Sequence, residues 1–75
     1  MSDSDLQSRV ADELAQEVLK LAAESGDEDI VDEVKKIIGT SSTTLEEAYM
    51  TAVRVRRAET RALELIARKR KALGI

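Results

Sequence analysis

Leu6, Val10, Leu14, Val18 and Leu21 recur every three or four residues, and Ala11, Ala15 and Ala22 run beside them. That spacing is one face of an amphipathic α-helix. Ser4 with Gln7 three residues on reads as a capping box, and Gly26 as the stop, so the first helix is expected over about residues 4–25. Asp27 can cap the next helix, with Glu28 and Asp29 at the positive end of its dipole. Ile30, Val31, Val34, Ile37 and Ile38 make its stripe, and Gly39 closes it, giving a helix over about 28–38. After "TSSTT", Thr43 with Glu46 or Thr44 with Glu47 offers another capping box. A single helix is then expected over about 44–73, with Arg68, Lys69, Arg70 and Lys71 at its negative end.

The pattern therefore predicts an all-α protein, a single domain built as a three-helix bundle with long, short and very long helices. Their expected lengths are roughly 33, 16 and 43 Å at 1.5 Å per residue. Short connections favour antiparallel neighbours, so the third helix overshoots the other two. A bend at Gly26 is the alternative. It would lay the first two helices end to end along the third and remove the overhang.

Around the third helix, Leu45, Ala48, Tyr49, Ala52, Val55, Ala62, Leu63, Ile66 and Leu73 form one broad stripe. Ala58, Leu65 and Ala72 lie on a second face, and Val53 and Met50 lie off the other shoulder. A helix apolar on two faces is central in a bundle or shared with a partner. Sharing fits better here, because only two other helices exist and one is short. The expected interface comprises Tyr49, Met50, Val53, Ala58, Glu59, Ala62, Leu63, Leu65, Ile66 and Leu73. Glu59, near the middle of the stripe with Arg56 beside it, is either a register-setting polar residue at a helix seam or a carboxylate reaching water where the bundle opens.

Composition narrows the picture. The 75 residues are 43% hydrophobic, but Tyr49 is the only aromatic, so each core side chain buries modest area. The net charge of −3 conceals an asymmetry: residues 1–43 hold 11 acidic and 4 basic side chains (−7), and residues 44–75 hold 4 acidic and 8 basic (+4). Halves of opposite sign can neutralise each other within one fold or across a dimer.

The absence of Cys and His removes disulfides, thiolate chemistry, Cys/His zinc sites and histidine acid–base catalysis. No other pair of groups converges for acid–base work, so no enzyme activity and no cofactor are expected. "DEDIVDE" lacks the alternating oxygen ligands and central glycine of a calcium loop and reads as a capped helix start. Arg54, Arg57, Arg61 and Arg68 share one helix face, as a phosphate-binding stripe would. Without stacking aromatics, a basic domain charge or a recognisable motif, a solvated face is the better reading, and nucleic acid is disfavoured as a partner. No apolar run approaches the ~20 residues of a membrane span and no signal-peptide pattern is present, so the expectation is a cytoplasmic protein with no membrane partner.

Every helix has a cap, a stripe, a stop and charges placed for its dipole. With loops such as "SGDED" and "GTSSTTLEE" and helices such as "IVDEVKKI", the whole chain resembles de novo designed helical bundle proteins. The resemblance is one of style and implies a three-helix scaffold. The expected function is structural: self-association, most simply as a homodimer, through apolar faces of the third helix. The alternative is a protein-binding module presenting one helix face, with Tyr49, Met50 and Val53 as its anchors.

Overall fold

A computed structural model describes the backbone of residues 3–75 and the side chains from residue 5 onward. Three helices occupy nearly all of it: α1 (Asp3–Ser25), α2 (Asp29–Gly39) and α3 (Thr43–Leu73), with no strand among the described residues. The expected cap at Ser4 lies outside the described side chains.

Gly26 ends α1 in the left-handed region, at φ 76°, with its N–H donating to the Ala22 carbonyl at 2.8 Å. The Ser25 hydroxyl accepts from the Asp27 N–H at 3.1 Å, and the Asp27 carboxylate accepts from the Asp29 N–H at 3.0 Å. These three contacts replace the helix ladder through the turn and set α2 back against α1. Ile30 and Val34 of α2 share one cleft with Val18 and Leu21 of α1, so the chain reverses at Gly26 and the end-to-end alternative does not hold.

A Cβ at residue 26 would meet nothing within 4 Å, so a side chain there is opposed by backbone conformation alone. Gly26→Ala is therefore expected to cost about 1 kcal/mol, read as a melting midpoint lower by about 4–8 °C at fixed protein concentration. An unchanged midpoint would mean that the turn does not need the left-handed residue.

The second connection departs from expectation. Gly39 does not stop α2 by turning left-handed; it is the last helical residue, and Thr40 continues in αR geometry at φ −68°. The chain leaves through tightened turns, with the Ser41 and Ser42 N–H groups both donating to the Ile38 carbonyl at 3.0 and 2.9 Å. The missing Cβ of Gly39 instead makes room for the Glu46 carboxylate, which fills the space a side chain would need.

The cap of α3 is Ser42, not Thr43 or Thr44. Its backbone is extended (φ −155°, ψ 110°) and its hydroxyl accepts from the Leu45 N–H at 3.0 Å. At the far end Gly74, at φ 75°, lets the Ile75 N–H reach the Arg70 carbonyl at 3.0 Å and its own N–H reach Lys71 at 3.3 Å. This is a Schellman closure.

Packing follows the small residues rather than the large ones. The buried positions of α1 are Ala11, Ala15, Val18 and Ala22, while Leu6 and Leu21 of the expected stripe remain 50% exposed. Val31 and Ile38 come from α2, and Tyr49 and Val53 from α3. Leu19, which sits off the leucine stripe of α1, packs against this cluster as well. The inward face of α1 is thus turned from its leucines toward its alanines. Helix separation is set by the side chains at the contact, and alanines allow the close approach that leaves Tyr49 as the one large core filler.

Tyr49 is fully buried (0% exposed), and its hydroxyl donates to the Val31 carbonyl at 2.9 Å, tying α3 to α2. Burial pushes its phenol above the ordinary value of 10.0. The molecule is flat, measuring 49 × 32 × 13 Å along its principal axes, with the long dimension matching the α3 rod.

Candidate self-association face

The embedded part of α3 ends at an ionic brace. Arg56 grips Asp12 of α1 with two bonds, Nε to one carboxylate oxygen at 2.7 Å and Nη2 to the other at 2.6 Å. Its third nitrogen reaches Glu59 at 3.2 Å. Gln16 donates to the same Asp12 carboxylate at 2.9 Å. One turn-face away, Arg57 bonds Glu28 at the start of α2 at 2.9 Å. The basic half of the chain is therefore held against its acidic half within one molecule.

The Arg56 bond holds the Asp12 carboxyl below its ordinary value of 3.8, against an opposing push from burial. Asp12, and after it Glu59, raise the guanidinium in turn. A carboxyl whose folded pKa is lowered adds stability that is complete above 3.8 and is lost as pH falls through the folded value. Wild type is accordingly expected to exceed Asp12→Asn in urea midpoint near neutral pH, with the gap closing as pH drops below about 3.8. A gap that persists at lower pH would show that the carboxylate charge is not what holds Arg56.

From Arg57 to the end of α3 every residue is exposed. That is roughly 25 Å of helix, flanked on its own chain by an open cleft that Thr60, Arg61 and Glu64 share with Leu19, Ala23 and Glu28. It is built mainly from strong helix formers, among them Ala58, Glu59, Ala62, Leu63, Glu64, Leu65 and Ala67, so the rod can continue without support. Yet it carries Leu63, Leu65 and Ile66 about half exposed, and Leu73 and Ile75 at 71% and 79%. Val55, just before the brace, is 60% exposed.

The residues expected at an interface divide into two sets. Ala58, Glu59, Ala62, Leu63, Leu65, Ile66 and Leu73 lie on this open length. Tyr49 and Val53 do not: they are the two largest fully buried side chains, and Met50 packs partly buried against them. Tyr49 and Val53 cannot present a surface, because the face of α3 that meets α1 and α2 is turned toward Val53 and away from Val55. Val55, part of the broad apolar stripe read from the sequence, is released to solvent by the same rotation.

At about 100° per residue, Val55, Glu59, Ala62, Ile66, Lys69 and Leu73 fall on one line. Their spacing alternates four and three, the seam of a coiled coil. It lies roughly 130° around the helix from the Tyr49–Val53 direction, flanked by Leu63 on one side and Ala58, Leu65 and Ala72 on the other. Arg57, Arg61 and Arg68 lie toward the opposite side and Arg54 beside Ala72, so the seam's own polar members are Glu59 and Lys69. Sequence reading missed Lys69 for want of the true core direction, although the heptad spacing itself was available.

No helix is long and apolar enough to cross a membrane, and among the described residues no acidic group is clustered to hold a metal ion. The fold and face together define an all-α protein of three helices whose longest helix leaves an apolar seam uncovered. No family model, curated protein or solved structure matches the chain.

Proposed function

We propose that this chain is a structural, self-assembling helical protein that associates, most simply as a homodimer, through the uncovered length of α3. The observation that carries the reading is the exposure of every residue from Arg57 onward, in a segment that includes Leu63, Leu65, Ile66 and Leu73. Burying these four is worth about 2 kcal/mol each per chain, set against an association cost of about 4–15 kcal/mol. The balance is compatible with dimers at micromolar concentration. Consistent local signals in every helix agree with a designed bundle of this kind.

Light scattering across a concentration series tests the reading. A mass near twice the 8.3 kDa chain supports it, and a monomer that persists to about millimolar concentration overturns it. The competing reading, a module that binds a different protein, is weakened because two of its anchors, Tyr49 and Val53, belong to the core and Met50 packs partly buried against it. The intramolecular pairs Asp12–Arg56 and Glu28–Arg57 weigh against a polyanion as the partner of the basic half.

A further inference from the structure

Two polar residues interrupt the seam of α3, and their placement points to how a second copy lies on it. We infer that the partner is another molecule of this chain, packed antiparallel about a twofold axis level with Glu64, with Glu59 of each copy meeting Lys69 of the other. The inference rests on the self-association reading and adds direction and register to it.

In an antiparallel pair centred at position 64, residues whose numbers are equally far above and below 64 face each other. Val55 then opposes Leu73, Glu59 opposes Lys69, and Ala62 opposes Ile66. Each layer matches in chemistry. Two branched or long apolar side chains meet at the ends, opposite charges meet inside them, and a small residue receives a large one nearest the axis. Leu63 and Leu65, the flanking apolar residues, lie beside the axis, where each approaches its own copy.

Other registers fail on the same residues. A shift by one heptad sets Glu59 against Ala62 in one direction and Lys69 against Ile66 in the other, leaving a buried charge without a partner. A parallel pair brings Glu59 against Glu59 and Lys69 against Lys69, like charges in both layers. Only the antiparallel arrangement centred on Glu64 satisfies both charged residues at once.

The shape of the molecule agrees. Beyond Arg57 the body flanks α3 only off the seam, in the cleft that Leu19, Ala23 and Glu28 share with Thr60, Arg61 and Glu64, so an antiparallel mate on the seam places its own body beside the tip of the first copy's rod. Leu73 and Ile75, two strongly exposed apolar residues, then end beside the partner's body near Val55. Within its own chain Glu59 receives Arg56 on one oxygen at 3.2 Å, and its side chain is more than half exposed, so the group is accessible to a lysine of the mate.

Charge exchange tests the register. Glu59→Lys and Lys69→Glu each convert two attractive layers into repulsive ones, and each is expected to raise the dimer dissociation constant about tenfold or more. The double variant E59K/K69E restores opposite charges and is expected to return to within about threefold of wild type. Lys69→Glu leaves the Arg56 contact untouched, so loss in that variant is not attributable to the intrachain pair. Circular dichroism verifies that helix content is unchanged, as expected at exposed positions. If wild type is dimeric and neither single change weakens it, the register is wrong while self-association stands. If the singles weaken the dimer and the double does not recover, the Glu59–Lys69 pairing is overturned. A monomeric wild type removes both readings together.

Discussion

Tyr49→Ala is expected to leave this chain without a stable fold at physiological temperature. The ring is the only aromatic group available to the core, it is fully buried, and six small or branched aliphatic residues share one buried cluster with it. Removing it opens a cavity that neighbours such as Ala11, Ala15 and Val53 are too short to fill. Aromatic-to-alanine changes in cores cost about 3–5 kcal/mol. A protein of this length holds only about 4–11 kcal/mol in total.

Tyr49→Phe separates the ring from its hydroxyl. It keeps the packing and loses the 2.9 Å bond to the Val31 carbonyl, at a cost of about 1 kcal/mol. The two variants should therefore melt in a steep ladder, wild type just above Phe and both far above Ala. The phenol adds a pH signature. Its folded pKa is raised above 10.0, so the contribution of the neutral hydroxyl is complete below pH 10.0 and is lost as pH rises through the folded value. Wild type should lose stability there in a step that Tyr49→Phe lacks. A Tyr49→Ala protein melting within a few degrees of wild type would mean that the core is organised around something else.

Ile66→Asp should do the reverse: spare the fold and abolish assembly. Ile66 lies on the uncovered length of α3, half exposed, and makes no contribution to the core of its own chain. In a twofold dimer the change acts twice. Losing about 2 kcal/mol of burial per copy amounts to about 4 kcal/mol, or roughly a thousandfold in dissociation constant. The expected result is a chain of unchanged helicity that sediments as an 8.3 kDa monomer where wild type is dimeric. Arg68→Ala, on the opposite side of α3, is the matched control and should leave the mass alone. Dimers that survive Ile66→Asp would move the interface off this seam and toward the half-exposed leucines of α1.

Much of the architecture was legible because its signals are local. Gly26 with Asp27 marks a turn, the cations at residues 68–71 mark a helix end, and periodic apolar residues mark helices between. The inexact details have equally local reasons. Five consecutive hydroxyl residues, Thr40 to Thr44, all qualify as caps, and the choice of Ser42 depends on which one takes an extended backbone. Gly39 resembled a stop in sequence, yet its lack of a side chain is used by Glu46 from the next helix, which no window around residue 39 contains.

The burial of Tyr49 and Val53 was illegible because distance along the chain matters most there. Hydrophobicity alone centres the inward face of α1 on its leucines and that of α3 between Val55 and Leu45. The actual faces centre on Ala15 and on Tyr49 with Val53. A rotation of this size changes no secondary structure, but it exchanges which apolar residues are core and which are left over.

Helix number, length and approximate ends were thus determined by the order of residues, since capping, propensity and periodicity act over a few positions and need no partner. Which side of each helix faces inward, and therefore that Tyr49 is core while Val55, Ile66 and Leu73 form an open seam, was decided only when three rods packed together. Close approach between helices depends on the volumes that meet across the gap, and those meetings join residues as far apart as Asp12 and Arg56.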